Sequence, residues 1–343
     1  MSVTSETREP RLLTSATVSV SKGLVTIGAA TILLFIVSAL FAPSSVAPGS
    51  LQGMLPIAAV LAVAGLGQML VVQQGGIDLS VAGAMSLAVV TVTHIPDQNN
   101  SLLVPAVLLA LVFAIVGGIV NGLLVGGVGL NPIIATLGSN ALFYGVNLLI
   151  SGGRPRITTS DLQNLMTGSV LGIPFSVFFA VGALILVIVL VRHTPAGRRF
   201  EFVGANPRAA RAVGLRVRVH QMSAYVWAQL LYCVAGIMIA GITAQPSAYS
   251  GDSFLLISVA VVVLGGTSLL GGRGFPVATV IAAIFLEQLV QFVLALGVST
   301  AVQTVVQAAA LAVGVSLYTV DWRGIWYRIR GGRTRPTRPA PAS

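Results

Sequence analysis

The sequence predicts an all-α, polytopic membrane protein with about ten transmembrane helices and both termini in the cytoplasm. Three observations predict it. The chain runs 55 residues without a charged side chain between Lys22 and Asp78, and 56 more between Asp97 and Arg154. Further charge-free stretches cover 162–191, 219–251, 253–272 and 288–320. A helix crossing the hydrocarbon layer needs about 20 such residues, and no soluble domain buries so much unbroken apolar chain. Charged residues make up 8% of the chain and hydrophobic ones 55%, far from the balance of a soluble domain. The third observation is where the basic residues sit, and it emerges as the elements are taken in order.

Cutting the apolar runs at Pro/Gly clusters and polar breaks gives helices at 24–41, 52–73, 78–94, 103–127, 132–151, 173–191, 221–244, 254–270, 276–296 and 300–318. The first, longer than a usual signal core and with Pro43 directly after its cleavage candidate at Ala42, reads as an uncleaved anchor. With the N-terminus in the cytoplasm, the inner segments hold Arg8, Arg11 and Lys22, the seven arginines of 192–218, Arg273 and the six from Arg323 to Arg338. Those are 17 of the 19 basic residues, leaving Arg154 and Arg156 outside. The chain therefore divides into a cytoplasmic N-terminal segment (1–23), a transmembrane domain (24–320) with a cytoplasmic loop at 192–220, and a basic cytoplasmic tail (321–343). Trp322, Trp326 and Tyr327 open that tail as an interfacial anchor.

The formal charge of +10 does not point to nucleic acid, because the charges lie between spans and report orientation. One cysteine, Cys233, excludes an internal disulfide and a thiolate cluster, and His94, His193 and His220 have no spacing that suits a metal. No glycine-rich phosphate loop with its lysine is present, since Lys22 is the single lysine. Any energy from ATP has to come from another chain.

Several segments carry chemistry. Gly75 and Gly76 break a helix, and Asp78 stands before the next, with Ser80 two residues on. A carboxylate there meets free amides and the positive end of the helix dipole. The alternative is a re-entrant break lining a pathway, where irregular backbone is tolerated. The glycine-dense 265–274 occupies a comparable place in the second half and hints at an internal repeat. In the loop, Asn206 can cap a short helix that Pro207 begins and Gly214 ends. Arg208 and Arg211 share one face, while Ala209, Ala212 and Val213 form a small apolar strip. A helix this short needs a docking surface. Its strip lacks the bulky side chains that a lipid surface prefers, so the surface is expected to be protein.

Helix 103–127 carries Ala114, Gly118, Gly122 and Gly126 at four-residue spacing, a stripe for close packing inside one subunit. Asn121, Asn140, Asn147, Gln68, Gln229, Gln288, Gln291, Gln303 and Gln307 lie within apolar runs, where amides tie helices together. Asn121, Asn140, Asn147 and Gln291 are the candidates for lining a path. Glu287 costs about 2.5–3.5 kcal/mol as an ion near a helix centre. It is expected to be neutral, paired with Gln291 one turn on, or facing a wet cavity.

Four ordered motifs resemble one family: Gly75-Gly76-Ile77-Asp78-Leu79-Ser80; Asn131-Pro132-Ile133-Ile134-Ala135-Thr136-Leu137-Gly138; Gly204-Ala205-Asn206-Pro207 through Ala210 with Gly214-Leu215; and Gly265-Gly266-Thr267-Ser268-Leu269-Leu270-Gly271-Gly272-Arg273-Gly274. The chain from about 24 to 320 is similar to the ribose/xylose/galactose-type permease subunits of bacterial ATP-binding cassette sugar importers. The resemblance implies a multi-pass protein of the bacterial inner membrane that is not itself an enzyme and binds no cofactor. ATP and Mg would sit on a cytoplasmic partner ATPase, an extracytoplasmic binding protein would deliver the solute, and a second permease copy would complete the pore. It also implies that Gly204, Asn206, Pro207, Arg208, Ala209, Ala210, Arg211 and Gly214 form the helix that couples to the ATPase. The competing readings are a proton-coupled transporter using Glu287, a membrane-embedded enzyme and a passive channel. The first leaves the docking helix without a purpose, and the second lacks clustered catalytic side chains.

Overall fold

The computed structural model describes residues 22–299, together with 301, 302, 304–306, 308, 309 and 312. The N-terminal segment before Lys22, most of the expected last span at 300–318 with Gln303 and Gln307, and the basic tail lie outside the described residues. What is described is almost wholly helical. Seven helices are long and apolar enough to cross a membrane. They include α1 (Lys22–Phe41), α2 (Pro48–Gln73), α4 (Leu103–Gly122), α5 (Pro132–Ser151), α7 (Phe175–Ile188), α10 (Val217–Ile242) and α12 (Pro276–Ala295). Between them lie the shorter α3 (Val81–His94), α6 (Ser160–Thr167), α8 (Pro195–Ala205), α9 (Pro207–Ala212) and α11 (Phe254–Leu264). One two-residue hairpin, Ser169–Val170 with Ile173–Pro174, interrupts the all-α pattern.

The core is built on α2 and α10, both mostly buried, with α2 apolar all round. The two run antiparallel. Gln68 meets Tyr232, and Gly76 lies beneath the Tyr225 hydroxyl. The α4 stripe packs within the chain, against α10. A Cβ at Gly118 would sit 2.5 Å from the Val226 Cα, and Gly122 and Gly126 close on Met222. By contrast α1, α4, α5 and α7 turn leucine, isoleucine, valine and phenylalanine outward along one side, as a lipid-facing surface requires.

Each central helix is followed by a break and a half-length helix. After α2 the chain turns back through 74–80 into α3, which starts at Val81, three residues later than the sequence suggests. After α10 it turns back through 243–253 into α11, which ends at Leu264, six residues short of the expected end. The two units therefore run in opposite directions. The structure pairs 75–80 with 243–253, whereas the glycine-dense 265–274 follows the second half-helix. At about 21 Å and 17 Å, α3 and α11 are too short to span the hydrocarbon layer alone.

Contacts between loops define the two ends of the bundle. At one end, the start of α1 lies against Gly265, α8 covers the end of α2, and α9 packs on α8. At the other, Arg156 pairs with Asp97 at 3.2 Å, the His94 ring bonds the Arg154 carbonyl, Asn100 meets Ser160 and Asp161, and the Thr158 amide donates to the Ala244 carbonyl.

Candidate functional site

The first break is closed by a buried polar cluster. Asp78 is fully buried, and its carboxylate accepts from the Ser80 amide at 2.9 Å and the Ser80 hydroxyl at 2.5 Å. Gln229 of α10 donates to Asp78 at 3.3 Å and to the Ser80 oxygen at 2.7 Å, and Asn121 of α4 donates to the same oxygen at 2.9 Å. Asp78 thus caps the amide of Ser80, which is itself the N-cap of α3, and does not reach the helix proper. Gln68 completes the cluster. In the amide orientation that satisfies its neighbours, it accepts from the Asp78 amide at 3.1 Å and donates to the Asp78 carbonyl and the Tyr232 hydroxyl. A backbone that leaves its helix inside a membrane must find partners for its N–H and C=O groups, and here Gln68 supplies them for Asp78 and the Asp78 carboxylate for the Ser80 amide. On the flank, the Thr136 hydroxyl accepts from the Leu79 amide, and the Asn140 carbonyl oxygen accepts from the Gly83 amide.

The loop 192–220 forms two helices where the sequence pattern marks one. In α9 the Asn206 side chain accepts from the amides of Arg208 and Ala209, Pro207 takes the first position, and Gly214 stops the helix at φ +81°. Ala210 is the residue buried beneath it, against Val203, Val217 and Leu215, while Arg208, Arg211 and Ala212 are exposed and Ala209 is half-buried. Helix α8 begins with Thr194 accepting from the Gly197 amide and Pro195 at its first position, the same signal as Asn206-Pro207. Between α8 and α9 lies a groove lined by Pro195, Arg198, Arg199, Phe202, Val213 and Leu215. Val213 is 68% exposed and Phe202 45%, so the groove floor is apolar and its rim basic.

The hairpin is wedged against the end of α2. A Cβ at Gly204 would lie 2.1 Å from the Gln73 carbonyl oxygen, so backbone meets backbone there. That oxygen also accepts from the Gly272 amide at 3.0 Å, and Gln74 donates to the Phe200 carbonyl at 2.8 Å. Arg192 donates to Glu201 at 2.7 Å and to the Gly274 carbonyl at 2.5 Å, and Arg273 lies 3.5 Å from Glu201. Gly75 itself stands at φ +79°, against the Leu270 carbonyl. All four motifs therefore converge at one end of the bundle, the second meeting the first where Thr136 holds Leu79 and Pro132 lies beside Gly76. Gln73, Gln74, Arg192 and Glu201 are missing from the candidates read in sequence, although Glu201 is the single acid in a loop of seven arginines.

The remaining candidates are dispersed. Asn121 and Asn147 are fully buried with their amides turned onto protein, Asn147 donating to the Ala248 carbonyl. Glu287 and Gln291 are half-buried on α12, and neither forms a hydrogen bond or ion pair with the other or with another described residue. Among the described residues, no group of three or more histidine, cysteine or acidic side chains is placed to hold a metal.

The family model described as branched-chain amino acid transport system / permease component matches residues 50–314. A ribose import permease protein of Bacillus subtilis is 33% identical over 290 residues, covering 83% of this chain and 89% of its own. A galactofuranose transporter permease protein of Escherichia coli is 35% identical over 266 residues, covering 77% of each chain. A probable ABC transporter permease protein of Sinorhizobium fredii is 31% identical over 300 residues, covering 87% and 90%. No solved structure matches.

Proposed function

Because the chain belongs to the branched-chain amino acid transport system / permease component family, as a membrane subunit that is not itself an enzyme, we propose that it carries a monosaccharide inward through an ATP-binding cassette importer. The cargo class follows the relatives named for ribose and galactofuranose, which align along most of both chains. A binding protein outside the cytoplasmic membrane delivers the sugar, a cytoplasmic ATPase holds ATP and Mg, and a second copy of this chain completes the pore. Ten crossings with both termini inside agree with the 17 basic residues assigned to the inner segments. On this reading the α8–α9 end is cytoplasmic.

One observation carries the coupling role: an exposed groove on α8–α9 whose supporting helix touches the α2 break backbone to backbone. The ATPase takes hold of Phe202 and Val213, and Gly204 passes its movement to Gln73. Arg208 and Arg211 stand beside the groove as basic contacts. Val213→Glu and Ala209→Glu place a charge on the docking face without touching the membrane core. Both variants should insert normally yet lose co-purification with the ATPase, or lose stimulation of its turnover by loaded binding protein. Normal sugar import by both would reduce α9 to a helix lying on the membrane surface and end the coupling assignment.

A further inference from the structure

The second break differs from the first in what it leaves open. The loop 243–253 starts at the end of the bundle, where the Ala244 carbonyl accepts from Thr158, and then descends between helices. Asn147 of α5 holds the Ala248 carbonyl, and the Gly251 amide donates to the Ser86 hydroxyl of α3 at 2.9 Å. Ser86 lies eight residues before His94, and Tyr144 seven before Ser151, so the loop reaches about 10–12 Å below that end. The hydrocarbon layer is about 30 Å thick, which puts Gly251 and Asp252 well inside it.

At that depth the loop side chains Tyr249 and Asp252 meet Tyr144 of α5. The Tyr144 hydroxyl donates to Asp252 Oδ1, and the rings of Tyr144 and Tyr249 lie 5.6 Å apart at 34°. Asp252 is exposed and Tyr249 is 46% exposed. Among the described residues, no donor reaches Asp252 Oδ2 and no cation pairs with this carboxylate. An exposed carboxylate facing lipid at this depth is strongly disfavoured, so Asp252 must look onto water or protein. The lipid face of α5 lies elsewhere: Leu142 and Leu149, seven residues apart and 66% and 86% exposed, project about 140–160° away from Tyr144. Asp252 is the single charge between 219 and 272.

We propose that Tyr144, Tyr249 and Asp252 form a solute contact in the translocation path, suited to a polyhydroxylated, uncharged ring. This rests on the importer reading. Tyrosine faces receive the apolar C–H side of a sugar ring, and the unfilled carboxylate oxygen accepts from its hydroxyls. Asn147 and Ser86 are positioning residues, because they hold the loop backbone and not the solute.

The test uses the assembled transporter of permease, ATPase and binding protein in proteoliposomes. With Cys233 replaced by Ser, single cysteines are introduced as Tyr249→Cys and, on the lipid face, Leu142→Cys. A membrane-impermeant sulfonated methanethiosulfonate is added from the binding-protein side. The thiol at 249 should react at least about tenfold faster than that at 142, because only a thiol in contact with water ionises. Import of a panel of radiolabelled aldoses, D-ribose and D-allose among them, should fall about tenfold in Asp252→Asn, with ATPase co-purification unchanged. Equal labelling at 249 and 142 overturns the proposal, as does spontaneous cross-linking of 249 between two copies together with protection from the reagent. Unchanged import by both Asp252→Asn and Tyr249→Ala overturns it as well. Failure of the wild type to import any aldose with ATP is a separate result, which removes the importer reading itself.

Discussion

Replacing Gly204 by alanine adds one methyl group at the contact where the docking hairpin meets the end of α2. The new Cβ would lie 2.1 Å from the Gln73 carbonyl oxygen, whereas real Cβ contacts essentially never fall below 3.0 Å. Either α8 or the last turn of α2 must retreat by about 1 Å, and inserting a methyl group into a closed contact costs about 1–3 kcal/mol. The same oxygen accepts from Gly272, so a shift that breaks this bond adds about 1–3 kcal/mol for a carbonyl left unpaired. The rest of the bundle is untouched, and strain of this size is relieved most easily by letting α8 swing away. Gly204→Ala should therefore insert and hold the ATPase but import sugar poorly for each ATP consumed. The assay is the ratio of sugar imported to ATP hydrolysed in proteoliposomes, with Val213→Glu as a comparison that fails earlier, at docking. A wild-type ratio in Gly204→Ala would show that the contact transmits nothing.

Three more outcomes are expected. Gln229→Leu removes the amide that bonds both Asp78 and Ser80, and should destabilise the detergent-solubilised protein by about 2–4 kcal/mol, read as a lower unfolding temperature. Glu287→Gln is nearly isosteric at a half-buried position with no described partner; import and its pH dependence should both stay near wild type, and a flattened pH profile would instead favour proton coupling. Cysteines placed at the exposed Ser160 and Arg199, in a chain lacking Cys233, should label from opposite sides of the membrane; labelling from one side would overturn the assignment of faces.

The long spans are legible in the sequence because an apolar run of membrane length has few other uses, and the cap signals of Asn206-Pro207 and Gly214 mark α9 closely. Helix α8 escapes notice although Thr194-Pro195 carries the same start signal. Its apolar side is reduced to Phe200 and Val203 among arginines and glycines, too sparse to read as a periodic face. The partners of the buried amides are illegible for another reason. Asn121 bonds Ser80 and Gln68 bonds Tyr232 across different helices, and a single chain gives no sign of which helices are neighbours. The break at 243–253 is hidden most completely. Gln245, Pro246 and Ser247 look like an ordinary surface connection, and only the contact of Gly251 with Ser86 reveals its depth. The isolated charge of Asp252 is the one signal that pointed there.

On the proposed importer reading, the two breaks divide the work of a path that must never be open at both ends. At 243–253, Tyr249 and Asp252 are exposed and the loop backbone rests on Asn147 and Ser86. At 74–80, Gln68, Asp78, Ser80, Asn121 and Gln229 close on one another with no exposed member. A solute entering by the first meets the second as the barrier. Four residues separate Gln73, the point where the hairpin presses, from Asp78, the centre of that cluster. On the importer reading, displacement of α8 therefore acts on the closed break within little more than a turn of chain. Asp78 is held there by hydrogen bonds from Ser80 and Gln229 and not by an ion pair, and each such bond contributes only about 1.5–3 kcal/mol. On the importer reading, a cluster held in this way closes the path at rest yet yields to a movement driven by nucleotide binding on the partner ATPase.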